Sequence, residues 1–328
     1  MLPIVKETMN SNHINPTIDI LLSTYNGGEY LQQQLDSILN QTYDNWKVLI
    51  RDDGSTDETL RIIESYSSTY PKKFKFVDTG SVRLGASQSF AGLMEYSDSD
   101  YIMFCDQDDV WLPKKVEQAY QKMKQTESNQ DQPVLIHTDL TVVNENLELI
   151  SDSYWDYQRL NINSVRLEQM LVQNHVTGCT VLINKALKNH CLPIPVDAMM
   201  HDWWIALIAG VFGKIEGISE SSILYRQHSK NHIGAKKYTN LSLLLKLASL
   251  KDRNQIFQRT IKQANALLKN YHKKLSSAHK QILYDYVNIS KQNWFLRMKI
   301  AFRYEFFKIG FWPKVSTAFH LLILKRER

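Results

Sequence analysis

Four times between residues 18 and 124 an apolar run of strand length gives way to a turn and then to a segment with helical periodicity. The runs are IDILLS (18–23), WKVLIR (46–51), KFKFVDT (73–79) and YIMFC (101–105). The segments after them are LQQQLDSIL, with Leu31, Leu35, Ile38 and Leu39 on one face, then DDGSTDETLRIIESY, GASQSFAGLMEYS and LPKKVEQAYQKMK. Ser55 and Glu58 have the spacing of a capping box, and Pro113 suits a helix start. Such alternation predicts an α/β fold with a mainly parallel sheet covered by helices. In sheets of this kind ligands bind beyond the carboxyl ends of the strands.

Those ends carry the polar residues. Thr24 and Tyr25 follow the first run, Asp52 and Asp53 the second, and Asp106, Gln107, Asp108 and Asp109 the fourth. Three carboxylates within four positions repel one another and raise each other's pKa. The cluster makes sense if a cation sits there. Hard divalent ions such as Mg2+ or Mn2+ are held by one or two carboxylates and bridge to substrate phosphates. An isolated D-x-D is more often a solvated turn with capping acids, and DDGSTDE reads equally as a turn.

Beyond residue 133 the pattern changes. PVLIHTDLTVV and TGCTVLIN read as strands, MMHDWWIALIAGVFG as a buried helix, and GKIEGIS with SSILYRQH as a closing hairpin. Asp202 stands at the helix start, where an acid is favoured by the dipole or can serve as a general base. His228 ends the last strand, and a lone His is more often structural than a ligand.

The ordered set TYNGGEYL, RDDGSTDETL, FCDQDDVWLPKKV, TGC, HDWW and YRQH resembles family 2 glycosyltransferases, which have the nucleotide-diphospho-sugar transferase fold called GT-A. The resemblance covers about residues 17–232. The CDQDDVW and HDWW forms look closest to bacterial rhamnosyltransferases of surface-polysaccharide assembly. The resemblance implies that Thr24, Tyr25 and Asp53 line a pyrimidine pocket with Asp52 beside them. Asp106 and Gln107 would lie near ribose and phosphates, and Asp108, with His228, would hold Mn2+ or Mg2+. Asp202 matches the catalytic base of inverting members. His201 stands where many relatives have Glu. Relatives also carry an Asn before the third-turn Gly and an Arg after it. This chain has RLGASQSF, which leaves Arg83 as the candidate on the phosphate side. Trp111, His201, Trp203 and Trp204 are acceptor candidates, the tryptophans because their rings could stack on a sugar or equally fill a core.

The implied reaction is a single displacement from a nucleotide-sugar donor, dTDP-rhamnose first, with UDP-hexose or UDP-N-acetylhexosamine as alternatives. The acceptor would be a lipid-linked glycan. The other class in contention is a catalytically silent nucleotide-sugar-binding assembly subunit, disfavoured because Asp108 and Asp202 are both present. A dehydrogenase lacks its G-x-G-x-x-G, and an NTPase its phosphate-cradling loop.

The chain of 328 residues has a net charge of +5, unevenly placed. Residues 235–328 hold twenty Lys and Arg against four Asp and Glu. The expected organisation is a leader (1–17), a GT-A domain (18–234) and a basic amphipathic helical region (235–328). Residues 292–324 mix aromatics with Arg and Lys, the composition of an interfacial helix or of a homodimer contact. No nucleic-acid recognition motif accompanies the charge. Three scattered cysteines predict a reducing compartment. With no signal-peptide core and no membrane-spanning run, the expected location is the cytoplasm, at the inner face of the plasma membrane.

Overall fold

The computed structural model of the chain describes residues 15–78, 82–160, 166–229 and 250–324. Its strands are β1 (Ile18–Thr24), β2 (Trp46–Asp52), β3 (Phe74–Phe76), β4 (Tyr101–Cys105), β5 (Val110–Trp111), β6 (Val134–Asn144), β7 (Leu149–Ser151), β8 (Leu182–Asn184) and β9 (Lys214–Gln227). Helices α1 (Leu31–Leu39), α2 (Thr59–Thr69), α3 (Ala86–Tyr96) and α4 (Lys115–Thr126) follow β1, β2, β3 and β5. After them come α5 (Tyr154–Gln158), α6 (Leu167–Met170), α7 (Lys185–Cys191) and α8 (His201–Phe212). The chain closes with α9 (Leu250–Tyr271), α10 (Ser277–Val287), α11 (Trp294–Tyr304) and α12 (Phe311–Ile323).

One nine-stranded sheet runs in the order β3-β2-β1-β4-β8-β6-β9-β5, with β7 on β6. Strands β3, β2, β1 and β4 are parallel, as the alternation requires, and β6 pairs in parallel with β9. The pairings of β8, β5 and β7 are antiparallel. The register sets Thr24 opposite Asp52 and Leu22 opposite Cys105, so the polar strand ends share one edge of the sheet.

Every strand of this centre is apolar on both faces, because side chains alternate with period two and both faces are covered. Ile18, Ile20, Leu22, Met103 and Ile136 point to one cluster, together with Leu31, Leu35 and Ile38 of α1. Leu21, Ile102, Phe104, Leu135 and Ile183 point to the other, with α3 and α8. That second cluster continues into the C-terminal helices through Ala264, Leu267, Leu283, Tyr286 and Phe306. Tyr271 donates to the His190 carbonyl, and Tyr286 Oη donates to the Leu171 carbonyl at 3.0 Å. The basic helices thus share a core with the sheet domain. Of the leader, residues 1–14 lie outside the described residues, as does 230–249 at the start of the basic region.

Three local expectations change. GKIEGISESSILYRQ is one strand, not a hairpin. Register shifts around Asp139 let Thr138 pair with Ile218 and Asp139 with Ser221, which absorbs Ser219 and Glu220 as a bulge. Ser55 and Glu58 form no capping box. Ser55 Oγ donates to Asp52 Oδ1 at 2.5 Å, and it is Asp57 that accepts the Thr59 N–H at the helix start, at 3.1 Å. Pro113 stands just ahead of α4, and TGC is a 3-10 turn leading into β8.

Candidate active site

The loops after β1 and β2 are stitched together by their own side chains. Asp52 Oδ1 accepts from Thr24 Oγ1 at 2.8 Å, and its Oδ2 accepts the N–H groups of Gly54 and Ser55 at 3.0 and 2.7 Å. Gly54 has φ +88°, a conformation that costs glycine little. Asp53 is buried. Its carboxyl accepts from Arg51 Nη1 at 2.7 Å and from the N–H groups of Leu84 and Gly85 at 2.7 and 2.8 Å. Burial pushes the Asp53 pKa up, but the Arg51 hydrogen bond and the two backbone N–H groups outweigh it and hold the carboxyl below its ordinary value. Arg51 also donates to Ser89 Oγ and to the Val82 carbonyl. Sequence reasoning set both acids beside a base, but their oxygens are engaged in building the loops.

What that construction presents is Arg83. Its guanidinium lies 3.9 Å from the centroid of the Tyr25 ring, a cation–π pair at the cleft rim. Tyr25 is 39% exposed. Its backbone is fixed by Gln107, whose Oε1 accepts the Tyr25 N–H at 2.8 Å and whose Nε2 donates to the Tyr25 carbonyl at 3.1 Å. A Cβ on Gly27 would stand 2.3 Å from that Oε1, so any other residue there would push the Gln107 amide out of this position.

The DQDD turn forms the floor. Asp106, Gln107 and Asp108 are half-buried and Asp109 is buried. Asp108 Oδ2 lies 2.9 Å from His228 Nε2. The His228 ring stacks on Tyr30 with centroids 4.8 Å apart. Arg226 secures this corner, donating from Nε to the Asp108 carbonyl at 2.8 Å and from its backbone N–H to Asp109 Oδ1 at 3.1 Å. A half-buried carboxylate and an imidazole in direct contact could together hold a divalent ion, and the nitrogen ligand suits Mn2+ better than Mg2+, which prefers oxygen donors.

Asp202 approaches the same floor from α8. Its Oδ1 accepts the Trp203 N–H at 2.6 Å, and Oδ2 accepts the Gly178 N–H at 3.1 Å. Burial pushes its pKa up to about 6, partly offset by those two N–H groups and by the Asn174 side chain. Asp106 is pushed up to about 7, first by burial and then by the charges of Asp108 and Asp202. Gly178, held by Asp202, is followed in the chain by Cys179, whose Sγ lies within 4.8 Å of an Asp106 oxygen, so the base candidate and the DQDD turn are neighbours.

Behind the turn, ligand atoms of Asp106, Asp109 and Cys179 lie within 4.8 Å of one another. Burial raises Asp109 well above the carboxylate range, with Asp108 and Asp106 adding to it. Lys115 is buried there over the Trp111 ring, 4.6 Å from its centroid. Burial lowers its pKa to about 8 against the pull of Cys179, Cys105 and Asp109. A buried ammonium balances the charge of this inner cluster.

The acceptor candidates separate. Trp204 is fully buried, with Nε1 donating to the Cys191 carbonyl at 3.0 Å, and Trp111 is buried beneath Lys115. His201 lies between Phe90 and Phe104, with centroids at 4.2 and 5.2 Å, and burial lowers its pKa to about 3. These three have no open face for a sugar. Trp203 is half-buried, its Nε1 donating to the Met170 carbonyl at 2.6 Å. Sequence reasoning missed Asn174, which lies outside every quoted motif, while Tyr30 and Lys115 stood inside TYNGGEYL and FCDQDDVWLPKKV without a role. Gly178 and Arg226 stood inside quoted motifs without a role.

The family model described as glycosyl transferase family 2 matches residues 19–190, more than half of the chain. The chain belongs to glycosyl transferase family 2. It is 27% identical over 267 residues to a dTDP-rhamnosyl transferase, RfbG of Shigella flexneri, covering 75% of this chain and 84% of that one. WfgD of Escherichia coli, a UDP-Glc:alpha-D-GlcNAc-diphosphoundecaprenol beta-1,3-glucosyltransferase, is 26% identical over 183 residues, 55% of this chain and 60% of that protein. Among solved structures, the mannosyltransferase PcManGT of Pyrobaculum calidifontis, in complex with GDP-Man and Mn2+, superposes with a TM-score of 0.54 at 14% identity, over 89% of this chain and 74% of that one. The α/β fold is that of the GT-A glycosyltransferases, and the family 2 chain is a glycosyltransferase.

Proposed function

We propose that the chain is an inverting, metal-dependent glycosyltransferase that moves a sugar from a nucleotide donor, dTDP-rhamnose first, to a lipid-linked glycan. The observation that carries this reading is the grouping of acids at the carboxyl edge of the sheet: Asp106 and Asp108 share one turn, and Asp202 holds Gly178, next to Cys179, whose Sγ lies within 4.8 Å of Asp106. The rhamnosyl donor is supported by the RfbG relative, and the lipid-linked acceptor by WfgD, whose printed donor, UDP-Glc, makes UDP-hexose the second reading.

In this reading the donor's nucleoside lies along the Tyr25–Arg83 rim. Arg83 offers its charge to the diphosphate, and Gln107 keeps the β1 loop at the right height. Asp108 and His228 would hold the Mn2+ or Mg2+ that neutralises charge on the departing diphosphate. Asp202 stands opposite and removes the proton of the attacking hydroxyl. Its raised pKa suits a base that works near neutrality. Trp203 borders the acceptor side.

A donor panel tests the proposal. The protein with Mn2+ and an extracted lipid-linked glycan should release nucleoside diphosphate from dTDP-rhamnose faster than from UDP-glucose or UDP-N-acetylglucosamine. Faster release from a UDP sugar would overturn the rhamnosyl reading. No release from any donor would overturn the enzyme reading.

A further inference from the structure

Helices α11 and α12 turn an apolar face outward. On α12, Phe311, Val315, Phe319 and Leu322 recur at helical spacing and are 73, 45, 47 and 42% exposed, and Trp312 beside Phe311 is 52% exposed. The opposite side of the helix, His320 and Leu321, is buried in the core. On α11, Trp294, Phe295 and Phe302 are 61, 64 and 61% exposed. Between the helices runs a groove of about 360 Å3, lined by Phe302, Phe307, Phe311, Lys314, Val315 and Ala318. A contiguous apolar surface of this kind marks an interaction site.

The charge on the same face selects its partner. Lys291, Lys299, Arg303, Lys308 and Lys314 are exposed, and the single acid between residues 291 and 324 is Glu305, paired with Arg166 at 3.3 Å. Exposed aromatics among cations match the boundary of an anionic bilayer, where rings enter the acyl region and cations meet headgroup phosphates. In a two-fold dimer the same cationic face would meet itself and set like charges together. No described helix is long and apolar enough to cross a membrane.

The face is also wired to the candidate base. The Ile309 N–H, between α11 and α12, donates to Gln173 Oε1 at 3.2 Å. The next residue, Asn174, hydrogen-bonds Asp202. We infer that the α11–α12 face docks on an anionic lipid bilayer and so turns the Asp202 side of the cleft toward the membrane. The docking stands on the surface chemistry alone; only its use in presenting an acceptor rests on the proposed reaction.

Co-sedimentation of the full chain with vesicles tests it. Phosphatidylcholine vesicles containing phosphatidylglycerol should carry the protein down at low salt, and pure phosphatidylcholine vesicles should not. Each basic residue near an anionic surface strengthens binding roughly fivefold. The variant Phe302→Ser/Phe311→Ser/Trp312→Ser should bind the anionic vesicles at least about tenfold more weakly, a floor well below what full burial of three rings contributes. It should keep the wild-type melting temperature and wild-type turnover on a short soluble acceptor. That last readout separates failure of the face from failure of the active-site reading. Equal binding by the variant, or no binding by wild type, overturns the proposal. So does a wild-type dimer in light scattering that the variant converts to monomer, since a second copy would then cover the face.

Discussion

Replacing Asp202 with Asn is expected to leave donor affinity near that of the wild type and to lower turnover about 10²–10⁴-fold, the range that general-base help contributes. The amide oxygen can still accept the Gly178 or the Trp203 N–H, so α8 keeps its start. What is lost is the group that takes the proton. The pH dependence gives a second signature. Burial raises the Asp202 pKa to about 6, and the base works only as the carboxylate. Turnover should therefore fall tenfold per pH unit below about 6 and level off above it. The Asn variant should lack this acid limb, and the same limb in the variant would contradict the assignment. The raised pKa also sets a sign for stability. The folded protein holds the proton more tightly than the unfolded chain, so Asp202 contributes stability at low pH that is lost as pH rises through about 6. At neutral pH the uncharged Asn variant should melt no lower than the wild type, which separates a chemical defect from a folding one.

Asp108→Ala is expected to lower turnover on the order of 10³-fold, several kcal/mol of stabilisation of the leaving diphosphate. Donor titrations read the cause. Wild-type affinity should fall when Mn2+ is removed with a chelator. The variant should start at the chelated level and not respond to the metal. Equal donor affinity for the wild type with and without chelator would contradict a cation on the Asp108–His228 side. The variant leaves the His228–Tyr30 stack and the Arg226 hydrogen bond to the 108 carbonyl in place, because neither uses the Asp108 carboxyl.

Much of this was legible in the chain, for identifiable reasons. Central parallel strands are buried on both faces, so β1, β2 and β4 read as largely apolar runs ending at polar turns, interrupted by Asp19 in β1 and by Lys47 and Arg51 in β2. β5 and β7, of two and three residues, are too short for any periodicity. β9 was split because Gly217 and Ser219-Glu220-Ser221 have turn composition, whereas pairing with β6 carries the strand through them. At the site, the acids at the strand ends were visible, but their individual roles were not. Asp52 and Asp53 look alike in sequence, and only the fold shows each held by N–H groups and side chains of the loops. Trp203 and Trp204 differ by one helical step of about 100°, enough to bury one completely and leave the other half-buried. Asn174 and Gly178 reach Asp202 across more than twenty residues, a distance no local pattern bridges.

The product's anomeric configuration tests the central claim most directly. With the nucleotide sugar that supports turnover, proton NMR of the isolated product should show the transferred sugar inverted relative to the donor, as one displacement assisted by Asp202 requires. Retention of the donor's configuration would contradict the account, because it would require a second displacement that a single base opposite the leaving group does not supply.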